Sequence, residues 1–264
     1  MGNLVQGDLG TNFFGNKVID ELAARWPVTL KLGVMALVIE SVIGITAGVL
    51  AGIRRGKFVD SLVTVTTLLL ISIPIFVIGS FSQLIFGVRL GWFPVTATQG
   101  TFYQLIMPAF VLASVSLAYI ARLMRANLSE NLRADYVRTA KAKGLSNRRT
   151  VGVHTLRNSL IPVVTYIGID VGALMGGAIV TERIFNINGI GNFLYRSIGQ
   201  KDGTSVVGTI LCLVLIYLLV NLIVDVKDFY PRHYPLTKED VRNMLGRGDS
   251  ILDLAVRIFD DGII

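Results

Sequence analysis

The sequence predicts an all-α fold, a polytopic helical membrane protein, and three observations carry that prediction. Hydrophobic residues make up 52% of the 264 residues and charged residues only 16%, where a soluble domain carries about 25% charged residues. Five apolar runs are long enough to cross a bilayer. The lysines and arginines between those runs gather on alternate loops, the signature of a chain threaded through a membrane.

A hydrocarbon core about 30 Å thick takes roughly 20 apolar helical residues. The run 29–53 is apolar apart from Lys31 and Glu40, 62–87 and 103–121 carry no charge, 158–181 holds one acid, Asp170, and 203–224 holds none. The expected organisation is an external segment 1–28, a transmembrane domain 29–225 with one long polar loop at about 125–157, and a tail 226–264. Loops 54–61, 122–157 and 225–264 hold 18 basic residues, against 6 in 1–28, 88–102 and 182–202. The positive-inside rule then places the long loop and the C-terminus in the cytoplasm and the N-terminus outside. The opening MGNLVQGDLG has no apolar core of a signal peptide. An external start without an export signal leads us to expect a further span upstream.

The net charge of +7 could suggest nucleic acid, but membrane proteins acquire such an excess from their cytoplasmic loops. The single cysteine, Cys212, excludes an intrachain disulfide and a cysteine metal site, and it lies in an apolar run as a small packing residue. His154 and His233 stand alone, so no metal is expected.

The segment 133–162, RADYVRTAKAKGLSNRRTVGVHTLRNSLIP, is the most informative. It carries seven basic residues and one acid, Asp135. Leu132, Tyr136, Val137 and Ala140 recur at helical spacing. Gly144 stands where that helix should close in the left-handed conformation. Ser146 or Asn147 can cap a second short helix, and Pro162 is expected to open the next span. A basic helix-turn-helix of this kind could lie on DNA phosphates or could dock a protein partner. Its position between two spans favours the partner over a nucleic acid.

The stretch YVRTAKAKGLSNRRTVGVHTLRNSLIPVVTYIG resembles the cytoplasmic loop of ABC importer permeases, in particular the dipeptide/oligopeptide/nickel branch. The family pattern is Glu-Ala-Ala, three residues, Gly, nine residues, then Ile-x-Leu-Pro. Gly144 is its fixed glycine. Arg138, Thr139 and Ala140 occupy the Glu-Ala-Ala positions, His154 and Leu156 the Ile and Leu positions, and Arg157 replaces the proline. These departures match the R-T-A-x-A-K-G-L and H-x-L-R-N-x-L-x-P patterns of the peptide branch. GDLGTNFFGNKVIDELAARWPVTLKL, the GWFP at 91–94 and TERIFNINGIGNFLYRSIGQKD resemble external segments of the same branch, with Asn188 where proline is usual. The resemblance covers about 7–225 and weakens at the tail, where PRHY at 231–234 is only an echo of the family's ending. Six spans are usual in the family.

The resemblance implies an inner-membrane permease subunit that imports peptides or related small solutes, a class that in this branch includes nickel complexes, driven by ATP hydrolysis on separate subunits. It implies as partners a second homologous permease, two ABC ATPase subunits, an extracytoplasmic solute-binding protein and membrane lipid. ATP and Mg²⁺ would be used by the ATPases, with no cofactor on this chain. The nearest match to G-x-x-x-x-G-K-[ST], GTNFFGNK at 10–17, has Asn16 where the phosphate-binding lysine belongs. Arg138, Thr139, Ala140, Lys141, Gly144, Leu145, Arg148, His154 and Leu156 are the expected ATPase-docking residues, on a short helix around 138–149. Gly144 would serve there through both left-handed geometry and close approach. Glu182, Phe185, Gly189 and Gly191 would form an external gate that meets the binding protein.

Asp170 and Glu40 are intramembrane acids, which commonly face a cavity or a partner. Each is read either as part of the translocation pathway or as a structural acid between helices, with Lys31, two turns from Glu40, able to orient it toward the outer side. Pro74 and Pro108 remove a helix hydrogen bond, and Pro74 is a further pathway candidate. The run GALMGG at 172–177 suggests close helix packing. Trp26 and Trp92 fit interfacial anchors. In the tail, an apolar stripe through Leu245, Ile251 and Leu254 could contact the ATPase or form an extension. An ion-coupled transporter would need paired intramembrane acids and inverted repeats, and the linear sequence offers one deep acid and no repeat. A membrane-tethered DNA-binding regulator is the remaining alternative.

Overall fold

A computed structural model describes residues 9–146 and 149–229. The tail expectations and the role of Arg148 lie outside the described residues. Apart from one isolated bridge between Thr11 and Lys17, the described chain is helical. Helix α1 spans Val18–Ile53, α2 Phe58–Ser72 and α3 Ile75–Ser82, the last running into a π-helical stretch, Gln83–Arg89. Helix α4 spans Phe102–Asn131 and α5 Asp135–Ala142. A π-helical turn, Thr150–Thr155, leads into α6, Leu156–Ile184, followed by α7, Ile190–Gly199, and α8, Gly203–Phe229. Three helices are long and apolar enough to cross a membrane, and five spans result if two bent helix pairs each count as one.

The apolar runs mark the spans, but the helices are longer. At 1.5 Å per residue the 36 residues of α1 reach about 54 Å, well beyond the hydrocarbon core. Its first turns therefore extend past the apolar run at its N-terminal end. There Val18 and Leu22 join Ile190 of α7 in a small core, against which Leu9, Trp26, Phe193, Cys212 and Leu213 pack. Trp26 thus turns inward, whereas Trp92 is exposed as an interfacial anchor should be. Pro162 lies inside α6 rather than opening it, because the π-helical turn before Leu156 supplies the start.

Helix α4 is the hub. Two-thirds of its most apolar stretch is buried, against 17% for α8, and it packs on α1, α2, α3 and α6. The α1–α4 contact rests on Gly44, Gly48 and Gly52, which form a four-residue stripe. A Cβ on Gly48 would stand 2.6 Å from Met124 Cβ, and one on Gly44 2.8 Å from Ile120 Cγ2. Only glycine admits that approach, and close approach is how helices associate where the surrounding lipid is as apolar as they are. Gly172 plays the same part between α6 and α8, where a Cβ would meet the Tyr217 ring at 2.7 Å.

The second span is broken. Pro74 caps α3 after an extended Ile73, and the two halves meet at 103°. Proline cannot donate the hydrogen bond that would carry α2 onward. The second half is held instead by Gly79 against Ile184 and Val111, and by Gln83, whose Nε2 donates to Val95 O at 2.9 Å and Ile184 O at 3.0 Å.

Candidate functional site

The basic loop forms an elbow between α4 and α6. Asp135 sits in the first turn of α5 and Lys141 in its last, each favourable toward the helix dipole. Leu145 N donates to Ala140 O at 3.1 Å and Gly144 N to Lys141 O at 3.0 Å. This pair of bonds is a Schellman closure, and it requires the left-handed Gly144, whose φ is +82°. Ser146 then accepts from Arg149 N at 3.4 Å, the cap expected for the second arm.

The helix of the elbow is therefore 135–142 and does not run on to Arg149 as expected, because Gly144 ends it. Val137 is buried and seats α5 on the bundle, Ala140 and Leu145 are half-buried, and Arg138, Thr139, Lys141 and Gly144 are exposed. Nothing lies within 4 Å of a Cβ placed on Gly144, so conformation, not close approach, demands glycine there. Leu156 is half-buried and packs against the inner core of Ile120, Met124, Leu128 and Val163. It fixes the root of α6. The side chain of His154 is outside the description.

Behind the elbow lies a clamp that sequence reasoning missed. Arg125 of α4 grips Asp60 at the start of α2 through two nitrogens: Nε donates to Oδ1, and Nη2 donates to Oδ2 at 2.9 Å. Gly56 N also donates to Asp60 Oδ2 at 2.9 Å, and Arg55 Nη1 donates to Ser129 Oγ at 2.6 Å. The Arg54–Arg55–Gly56–Lys57 turn is thereby tied to α4 about two turns before the elbow. The alternating span pattern hints that the two loops share a side, but no local spacing shows that these two residues meet.

On the outer side, Glu182, Gly189 and Gly191 come together, while Phe185 packs in the core with Leu105 and Ile187; all four are buried. Glu182 Oε1 accepts from Thr29 Oγ1 at 2.6 Å and Oε2 from Asn192 N at 2.9 Å, while Thr29 Oγ1 accepts from Ile190 N at 2.9 Å. A Cβ on Gly189 would collide with the Glu182 carboxylate. In this chain these four residues therefore lie beneath the surface of the outer loop and support it. The surface they present consists of Arg183, stacked 4.5 Å over the Tyr195 ring, with Asn188 and Arg196 exposed beside it. Asp202 caps α8 and accepts from Phe13 N at 3.0 Å and Ser205 Oγ at 2.7 Å, so the external segment is pinned to the last helix.

Of the pathway candidates, Pro74 is exposed at the break in the second span. Glu40 and Asp170 are brought together between α1 and α6 and are both buried, so they line no open passage in this chain. The Lys31 ammonium lies 5.8 Å over the Phe102 ring.

The described residues thus form a helical bundle of apolar, span-length helices with a basic, Schellman-closed elbow between two of them. The family profile described as "Binding-protein-dependent transport system inner membrane component" matches residues 44–228, and the chain belongs to that family. It is 40% identical over 254 residues to the di/tripeptide transport system permease protein DppB of Pseudomonas aeruginosa (strain UCBPP-PA14), covering 86% of this chain and 76% of the relative. It is 38% identical over 227 residues to the glutathione transport system permease protein GsiC of Escherichia coli (strain K12), covering 86% and 74%. Its fold is similar to that of a chain of the MetNI methionine ABC transporter in an inward-facing conformation. The TM-score is 0.62 at 20% identity, over 78% of this chain and 94% of that one. The chain is thus an inner-membrane ABC importer permease, a subunit that works with ATPase and binding-protein partners.

Proposed function

We propose that this permease carries peptides or closely related small solutes into the cytoplasm, forming the pathway with a second permease. Two ATPase subunits dock on the elbow and bind the ATP and Mg²⁺, and the chain itself catalyses no reaction. A solute-binding protein delivers cargo to the outer loop around Arg183 and Tyr195. The relatives' names, di/tripeptide and glutathione, favour peptides over the nickel complexes of the same branch.

The observation that carries this reading is the exposed Arg138–Thr139–Lys141 face of a helix anchored by Val137 and closed at Gly144. Such a helix moves as one piece with the α4 and α6 ends it joins, so closing the ATPase pair swings one bundle against the other. Its charges guide the encounter more than they hold the partner. The test is T139C on a C212S background in membranes holding the complete transporter. Cross-linking to the ATPase, with uptake of dipeptides that needs ATP and survives collapse of the proton gradient, is the expected result. Labelling of T139C from outside intact cells by an impermeant thiol reagent would overturn the reading.

A further inference from the structure

Glu40 lies near the middle of the first span and Asp170 at the middle of α6. The two are separated by 130 positions in sequence, yet their carboxyls are close enough to interact. Glu40 is fully buried and Asp170 is 7% exposed. Both Glu40 oxygens and Asp170 Oδ2 are buried without a hydrogen-bond partner among the described residues. Among the described residues neither acid has an ion-pair partner. From α6 comes Tyr166, and from α4 come Tyr119, whose ring is 6.4 Å from that of Tyr166, and Ser116 beside the Tyr166 hydroxyl. Lys31, on the same helix as Glu40, is engaged with Phe102.

Two ionised carboxylates cannot face each other at the centre of a bilayer without a positive partner, because each charge loses its hydration and repels the other. A resident metal ion would want six or more oxygens, and no cluster of three or more acidic, histidine or cysteine side chains exists among the described residues. The smallest cation satisfies the geometry. We propose that Glu40 and Asp170 bind a single proton between them, one carboxylic acid donating to one carboxylate, so that a buried proton site joins α1 to α6.

The proton serves as the missing hydrogen-bond donor, and one negative charge remains, facing the two tyrosines. Deprotonating the pair would place two charges in the core, so the α1–α6 contact weakens as the pH rises. This holds whatever the cargo is and whatever drives the cycle. The site accounts for paired intramembrane acids without inverted repeats, and it needs no proton movement during transport.

The complete transporter, purified in lipid nanodiscs, is examined by infrared spectroscopy in H₂O and D₂O at neutral pH. The expected result is a deuterium-sensitive C=O stretch of an un-ionised carboxyl that is lost in the E40Q/D170N double variant. Its absence from wild type, or its persistence in the double variant, would overturn the proposal. E40Q alone supplies an amide donor in place of the acid and needs no proton. Its thermal stability should therefore lose the alkaline decline that wild type shows, and an identical alkaline decline in E40Q counts against the shared proton. Stabilisation of wild type by sodium or potassium at constant ionic strength would make the occupant a metal cation and also overturn it.

Discussion

Asp60 and Arg125, 65 positions apart, meet in a two-point ion pair that fastens the first cytoplasmic turn to the helix leading into the elbow. The Asp60 side chain is nearly buried, whereas that of Arg125 is about one-third exposed. The pair is therefore worth more for what it positions than for its Coulomb energy. Removing one partner strands the other, at a cost of about 1–3 kcal/mol, while removing both relieves the stranded charge. D60N and R125Q should each lower the thermal stability of the purified transporter and weaken the link between ATPase activity and uptake. The double variant should cost less than the two singles combined. Strictly additive losses in a double-mutant cycle would show that the two residues act independently.

Gly144 separates a conformational from a packing requirement. Its φ of +82° is strained for any residue with a Cβ, yet the space around it is open. An L-residue in this conformation loses about 1–2 kcal/mol, asparagine tolerates it best, and a β-branched side chain fits it worst. G144N should keep ATPase co-purification and uptake near wild type, G144A should reduce both, and G144V should reduce them most. If G144N and G144V failed equally, a neighbour in the docked ATPase, not the helix closure, would be what excludes side chains here.

The parts of this molecule visible in the linear chain are those set by local physics. Apolar run length marks the spans, the basic loops orient them, and the order Val137, Gly144, Ser146 foretells a seated helix, its closure and the next cap. Pro74 announces the break in the second span but not its 103° turn, because the exit angle depends on Gly79 docking against Ile184. Pairings between distant segments are invisible to such reasoning. Glu40 and Asp170 each look like an isolated acid until α1 and α6 pack together. Glu182, at the start of an external-looking loop, reads as a surface residue, and only the folded loop shows Thr29 and the Asn192 amide closing around it. A charged side chain followed closely by two glycines, Gly189 and Gly191, is the available signal, since glycines permit backbone to wrap a carboxylate.

Asp202 gives the outer side its own pH signature. Burial works against its charge, but hydrogen bonds from Ser205, from the Phe13 amide and from the Ser205 and Thr204 amides outweigh that and hold its carboxyl below the usual aspartate range. A carboxyl that is more acidic folded than unfolded stabilises the fold wherever it is ionised, and that contribution is present in full above the unfolded value near pH 4. It is lost as the pH falls from there through the lower folded value. Protonation removes an acceptor from the Phe13 amide and the cap of α8 together, so the external segment and the last helix should loosen in concert. Hydrogen exchange at the amides of Phe13 and Ser205 should therefore accelerate in parallel on acidification below about pH 4. In D202N, protection at both sites should already be reduced at neutral pH and should change little on acidification. Acid-induced exchange at Ser205 with Phe13 unaffected would show that the carboxylate caps the helix without holding the segment before α1.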